Sequence, residues 1–135
     1  IGRQLLQAYF YNFLPVELSK SLEKQYDLDL SHVLDRIYSQ PKPSAYLASF
    51  VPFVNENISD EYVNWLVYNV FNKLYDLHLK IIPELKTYGL GVVGSVGFVF
   101  KDVLNRIAED KGFEVKKFIQ YPIDSLICYH VQKEI

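Results

Sequence analysis

Apolar positions recur at helical spacing through the first eighty residues, and the pattern changes near residue 90. Leu5, Leu6, Tyr9, Phe10 and Phe13 form one stripe. Pro15 then sits where a first helical turn accepts it, and a second helix runs through Leu18, Leu22 and Tyr26. Ser31 is placed to cap a short helix carrying Val33, Leu34, Ile37 and Tyr38, which stops at Gln40-Pro41-Lys42-Pro43. From Ser44 to Asn57 the chain is aromatic and apolar with Pro52 inside it, which predicts a buried helix with a kink or a break. Ser59 followed by Asp60 and Glu61 combines a cap oxygen with carboxylates at the positive end of a helix dipole. That helix continues through Val63, Leu66, Val67, Val70, Phe71, Leu74 and Leu77 to about Leu79, and its wide stripe predicts central packing.

The run from Tyr88 to Gly97 admits two readings that demand different strand positions. Gly89-x-Gly91-x-x-Gly94 matches a dinucleotide fingerprint, which requires a strand ending before Gly89 and a helix opening near Gly91. Alternatively Leu90 to Val93 is the strand, and Gly94-Ser95-Val96-Gly97 is the turn into a helix. The flanks favour the second reading, because Pro83 cannot donate to a ladder and Glu84 and Lys86 suit no buried strand. Val96, Val99, Phe100, Val103 and Ile107 then predict a helix from about Ser95 to about Lys111, with Gly112 as its stop. Phe113 to Gln120 reads as the next strand, and it ends Phe118-Ile119-Gln120 where a dinucleotide site would want an acidic residue. A strand, a glycine turn and a helix N-terminus can by themselves receive a phosphate: Gly94 and Gly97 allow close backbone approach, and first-turn amides carry partial positive charge. The same glycines equally permit a tight connection in an ordinary β-α-β unit.

With 135 residues, half of them hydrophobic, the chain is of one-domain size and can bury a core. A formal net charge of −2 and the absence of a Lys/Arg stripe give no general attraction to nucleic acid, and no apolar stretch is long enough to cross a bilayer. Cys128, the single cysteine, excludes an internal disulfide and any cysteine-based metal cluster; it reads as a packing residue in a last helix over Ile123 to His130. A cytoplasmic setting is expected. His32, His78 and His130 fall on three different predicted helices without metal-ligand spacing, and Asp27 and Asp29 near Asp35 read as turn and helix-start residues. No serine sits in a nucleophile elbow and no phosphate-binding loop of the Gly-x-x-x-x-Gly-Lys type occurs, so no catalytic or metal-binding residue is assigned. The 11 tyrosines interleave with the apolar stripes and belong to core or interface. Methionine is absent even at position 1, and the chain opens directly into a helical pattern, as expected of a segment cut from a longer protein.

Three segments, Gln40-Pro41-Lys42-Pro43-Ser44-Ala45-Tyr46-Leu47-Ala48-Ser49-Phe50-Val51-Pro52-Phe53, Val93-Gly94-Ser95-Val96-Gly97 and Pro122-Ile123-Asp124-Ser125-Leu126-Ile127-Cys128-Tyr129-His130, occur in the order seen in one known family. The chain resembles the C-terminal part of bacterial N-acetylglucosamine kinase relatives in the BadF/BadG/BcrA/BcrD-type ATPase family, within the actin-like sugar kinase superfamily. The resemblance implies an α/β, mostly helical chain forming part of a ribonuclease-H-like lobe, with a short parallel β-α-β unit and several packed helices. It implies a single incomplete domain over 1–135, with a helical segment over 1–80 and a strand-helix-strand-helix segment over 87–131. By the same resemblance Gly94, Ser95, Val96 and Gly97 form the adenosine-binding turn, with ATP, Mg²⁺ and an amino sugar as ligands of the intact protein.

The acidic phosphate hairpin and the sugar-facing aspartate of intact members are not found here, so this chain supplies part of a nucleotide cradle and no phosphoryl-transfer chemistry. A non-catalytic sensor, or an ATPase of the same family acting on a protein partner, is the alternative, and a helical interaction domain with an incidental glycine turn is a third. Only two strands are convincing, and a parallel pair with one crossover helix leaves its flanks open. Self-association, or packing on a missing lobe, is therefore expected. A Gly94→Val change is expected to disrupt the turn, and Gly89→Ala to matter far less.

Overall fold

The computed structural model describes residues 1–123 and 126; of the expected last helix, Pro122, Ile123 and Leu126 are helical, and the rest, with Cys128 and His130, lies outside the described residues. The chain divides into two compact units, Ile1–Val67 and Tyr68–Ile135.

The first unit is helical. It contains α1 (Gly2–Phe10), α2 (Val16–Gln25), α3 (Leu30–Tyr38), α4 (Pro43–Ala48) and α5 (Val51–Glu56), and α6 (Glu61–Leu74) begins in it. Its buried apolar side chains include Leu5, Leu22, Val33, Phe50, Phe53, Val54 and Val63. The break expected in the aromatic stretch falls at Ser49–Phe50, and Pro52 lies in the first turn of α5, where its missing N–H costs no hydrogen bond. Tyr26 stacks on Phe50 with centroids 4.5 Å apart and meets Phe53 edge-on at 6.3 Å, while its hydroxyl donates to the Ser49 carbonyl at 3.0 Å. The helix–helix joint is thus held by both the ring and the hydroxyl of Tyr26.

Several helix ends differ from expectation by a residue or two. Asp29, not Ser31, caps α3: its carboxylate accepts from the Ser31 amide at 3.1 Å and the His32 amide at 3.2 Å, while Ser31 turns its hydroxyl back onto the same carboxylate. Asp60 likewise replaces Ser59 at the start of α6, accepting from the amides of Tyr62 at 2.9 Å and Val63 at 3.2 Å. Pro15 stands just before α2 rather than inside its first turn. Phe13 is not part of the α1 stripe: the helix ends at Phe10, Asn12 turns the chain with φ 57°, and Phe13 is 66% exposed.

The Asp29 cap has a pH signature. Hydrogen bonds from the Ser31 side chain and then the His32 amide hold its carboxyl below the ordinary carboxylate range. A folded-state pKa below the unfolded one adds stability above the unfolded value, about 4, and that stability is lost as pH falls through the folded value. Asp29→Ala is therefore expected to lower the urea midpoint at pH 7, with the difference from wild type shrinking below about pH 4. Asp29→Asn keeps a cap oxygen and should remove this carboxyl's share of the pH dependence while retaining most of the cap's stability.

The second unit holds the end of α6, a π-helical turn over Tyr75–Leu79, α7 (Leu85–Tyr88), β1 (Leu90–Val93), α8 (Ser95–Val99), α9 (Lys101–Lys111) and β2 (Val115–Ile119). The helix expected to run on to Leu79 widens at Tyr75, which is buried and stacked on Phe113 at 5.6 Å. The wide apolar stripe is not central along its whole length: Val63, Leu66 and Val67 are buried, whereas Leu74 and Leu77 are 44% and 58% exposed. The single helix expected over Ser95 to Lys111 is two helices. They meet at Phe100, whose φ of −99° and ψ of 27° interrupt the spiral and whose side chain is 1% exposed. Val96, Gly97 and Val99 are weak helix formers, so little intrinsic preference opposes the break. Gly112 ends α9 in the left-handed conformation at φ 75°, as its position after the apolar stripe predicts.

β1 and β2 pair in parallel, with Leu90 opposite Val115 but Gly91 opposite Lys117, so Lys116 is an extra residue bulged out of β2. Leu90 and Val92 are half-buried, while Val93 on the other face is 59% exposed. Parallel sheets normally have both faces covered, whereas here Gly91, Val93 and Lys117 on one face are exposed among the described residues.

Candidate functional site

The glycine run is shaped by two backbone conformations that only glycine adopts readily. Gly89 ends α7 at φ 76°, ψ −172°, and Gly94 follows β1 at φ 119°, ψ 157°. Because Leu85–Tyr88 is helical and Leu90–Val93 is the strand, the dinucleotide pattern has its strand in the wrong place and the strand-turn-helix reading holds. Gly94 lies on the carboxyl edge of β1, where its amide donates to the Ile119 carbonyl at 2.8 Å. That bond brings the carboxyl ends of the two strands together beside the turn, the edge at which open α/β sheets bind ligands.

The four residues singled out from the sequence are contiguous and take different parts. Ser95 opens α8 and is exposed, Val96 is 37% exposed, and no side chain caps the helix. The first amide bonded back to the turn is that of Phe98, to the Gly94 carbonyl at 3.1 Å, so the amides of Ser95, Val96 and Gly97 have no acceptor within the helix. Gly97 faces β1: a methyl group there would collide with the Val92 side chain, and its absence lets α8 lie close to the strand. Since α8 is 5 residues long, any anion preference rests on these local amides and not on a long aligned dipole.

Gly89 is more constrained for the fold than its sequence position suggested, a matter separate from the expectation that Gly89→Ala affects the turn far less than Gly94→Val. Besides its positive φ, a Cβ there would stand 2.7 Å from the Glu114 carbonyl oxygen, beside the bulge at Lys116. The signal in the sequence was only a glycine between a helix and a strand; the close approach comes from the partner strand. An apolar crevice of about 90 Å³ lies inward of the turn, lined by Leu90, Val92, Leu104, Ile107 and Phe113. It offers a phosphate no donor, so the chemistry of the turn is on its amide side.

Elsewhere the structure assembles little chemistry. His32 and His78 are exposed on separate helical elements, and His32 lies 3.9 Å from Asp27. No group of three or more His, Cys, Asp or Glu among the described residues could hold a metal ion. No helix among them is long and apolar enough to cross a membrane.

No protein-family model matches the chain, and no curated protein matches it. Among solved structures it is similar to that of a candidate N-acetylglucosamine kinase from Porphyromonas gingivalis, at 25% identity and a TM-score of 0.88. The match covers 99% of this chain and 47% of that one, so the chain spans about half the length of its solved relative. The α/β, mostly helical fold with a short parallel β-α-β unit is therefore that of part of a kinase-like protein.

Proposed function

We propose that the chain is the C-terminal, nucleotide-binding portion of an ATP-dependent sugar kinase of the BadF/BadG/BcrA/BcrD-type ATPase family, acting on N-acetylglucosamine or a related amino sugar. The observation that carries this reading is the likeness of nearly the whole chain to a candidate N-acetylglucosamine kinase, together with a glycine turn on the carboxyl edge of β1. In this reading Gly94 and Gly97 let the main chain approach the ribose and α-phosphate, and the amides of Ser95, Val96 and Gly97 donate to phosphate oxygens. Mg²⁺ finds no cluster of ligands among the described residues, so it and the β- and γ-phosphates are assigned to the remainder of the intact protein, with the sugar and its base. The exposed sheet face, including Val93, is then a packing surface for that remainder. ATP and sugar meet in the cytoplasm, which this reading makes the site of action.

The intact protein supplied with ATP and Mg²⁺ is expected to release ADP in proportion to added N-acetylglucosamine. Absence of both sugar-dependent and sugar-independent ATP turnover would remove the kinase reading, and turnover indifferent to sugar would favour an ATPase instead. The chain by itself, holding one end of the nucleotide, is expected to bind ATP weakly or not at all in calorimetry.

A further inference from the structure

A groove within the first unit, independent of the nucleotide turn, brings the apolar stripes of α1 and α3 together without closing one on the other. Arg3, Leu6 and Phe10 stand at helical spacing on α1, and Leu30, Val33 and Leu34 do so on α3. Both sets line one surface cavity of about 290 Å³. Leu6 and Val33 are almost wholly buried, whereas Leu30 and Leu34 are 54% and 46% exposed. The α3 stripe is therefore covered only in part among the described residues.

The charge of this lining has one sign. Arg3 is its single ionised side chain, and no carboxylate lines the cavity. The Arg3 guanidinium is exposed and makes no ion pair or hydrogen bond among the described residues, and the Gln7 side chain, one position further along the same face, is equally without a partner there. A guanidinium presents paired N–H donors that match the two oxygens of a carboxylate, and the Gln7 amide can add a donor. One cation compensates one negative charge; a second charge on the ligand would rest against leucine and valine, where it loses water and gains no partner. The volume lies at the lower end of small-molecule sites, roughly 300–1,000 Å³, which suits a short chain better than a large ring system. An apolar chain ending in a single carboxylate satisfies both the walls and the charge.

We propose that the groove between α1 and α3 binds a medium-chain fatty acid anion, with its carboxylate on Arg3 and its chain along Leu6, Leu30, Val33 and Leu34. Calorimetric titration of the intact protein with octanoate at neutral pH, below the micellar range, is expected to give saturable binding. Across butanoate, hexanoate and octanoate the affinity should rise by up to about fourfold for each added methylene, as burial of hydrocarbon requires. Octan-1-ol, which keeps the chain and lacks the charge, should bind roughly three- to tenfold more weakly, since the ion pair is exposed. Arg3→Gln should bring octanoate down to the affinity of octan-1-ol and leave octan-1-ol unchanged. Leu34→Asp, at a half-exposed position, should abolish octanoate binding with the unfolding midpoint little altered, because it places a like charge in the groove. No saturable binding of octanoate, an affinity indifferent to chain length, equal affinity for octan-1-ol, or full octanoate affinity in either variant overturns the proposal.

Discussion

Phe50→Ala is expected to destabilise the Ile1–Val67 unit by about 3–5 kcal/mol, as full truncation of a buried ring typically does. Phe50 is 0% exposed and sits at the break between α4 and α5. It stacks on Tyr26 at 4.5 Å and meets Tyr46 edge-on at 5.3 Å, so its removal takes a ring contact from each of them. The Tyr46 hydroxyl is already buried without a hydrogen-bond partner among the described residues, and burial pushes its pKa up. Collapse into the cavity would have to move two short helices whose joint is fixed by the bond from Tyr26 to the Ser49 carbonyl. The site is therefore poorly placed to relax, which puts the cost toward the upper end of the range. Against a total stability of about 5–15 kcal/mol this is a large fraction. Urea unfolding followed by far-ultraviolet circular dichroism measures it, with Phe13→Ala as control. Phe13 is 66% exposed, and its truncation should change the midpoint little; a comparable effect of the two variants would mean that the joint is not a core.

The elements that the sequence made legible are those set by local chemistry. Leu90–Val93 stood out because Pro83, Glu84 and Lys86 exclude a strand before it, and Gly112 because a glycine after an apolar stripe meets the left-handed requirement of a helix stop. Pro52 announced the break in the aromatic stretch for the same kind of reason. Phe100 was invisible to that reasoning, since Val99, Phe100 and Val103 keep their helical spacing across a change in one residue's ψ. Caps were ambiguous wherever two competent side chains lie close together, as with Asp29 and Ser31 or Ser59 and Asp60; the carboxylate formed the cap in both cases. The location of the candidate turn was legible, but its neighbours were not. The Ile119 carbonyl on Gly94, the bulge at Lys116 and the oxygen facing Gly89 all depend on strand register, which no local pattern encodes.

Substitutions along the glycine run are expected to rank in an order that its pattern of glycines alone does not give. Gly91 is outside the left-handed region and a Cβ there meets nothing within 4 Å, so Gly91→Ala should be close to neutral. Gly94 also has open space around a Cβ, but its φ of 119° strains any other residue by roughly 1–3 kcal/mol. Gly89 combines a similar conformational strain with a backbone oxygen 2.7 Å from the new methyl, and since Glu114 is held in the ladder by the Leu90 amide, the oxygen cannot move away without loosening the sheet. Gly89→Ala should therefore destabilise the Tyr68–Ile135 unit more than Gly94→Ala, and Gly91→Ala least, in urea unfolding. Gly94→Val adds a branched side chain at the proposed nucleotide turn, so on that proposal it is expected to disrupt the turn and abolish measurable ATP binding in the intact protein while the rest of the fold persists. The two readouts separate two roles for the same run. A Gly89→Ala variant as stable as Gly91→Ala would remove the strain argument, whereas a Gly94→Val variant that binds ATP normally would leave the strain argument standing and remove the turn from the nucleotide site.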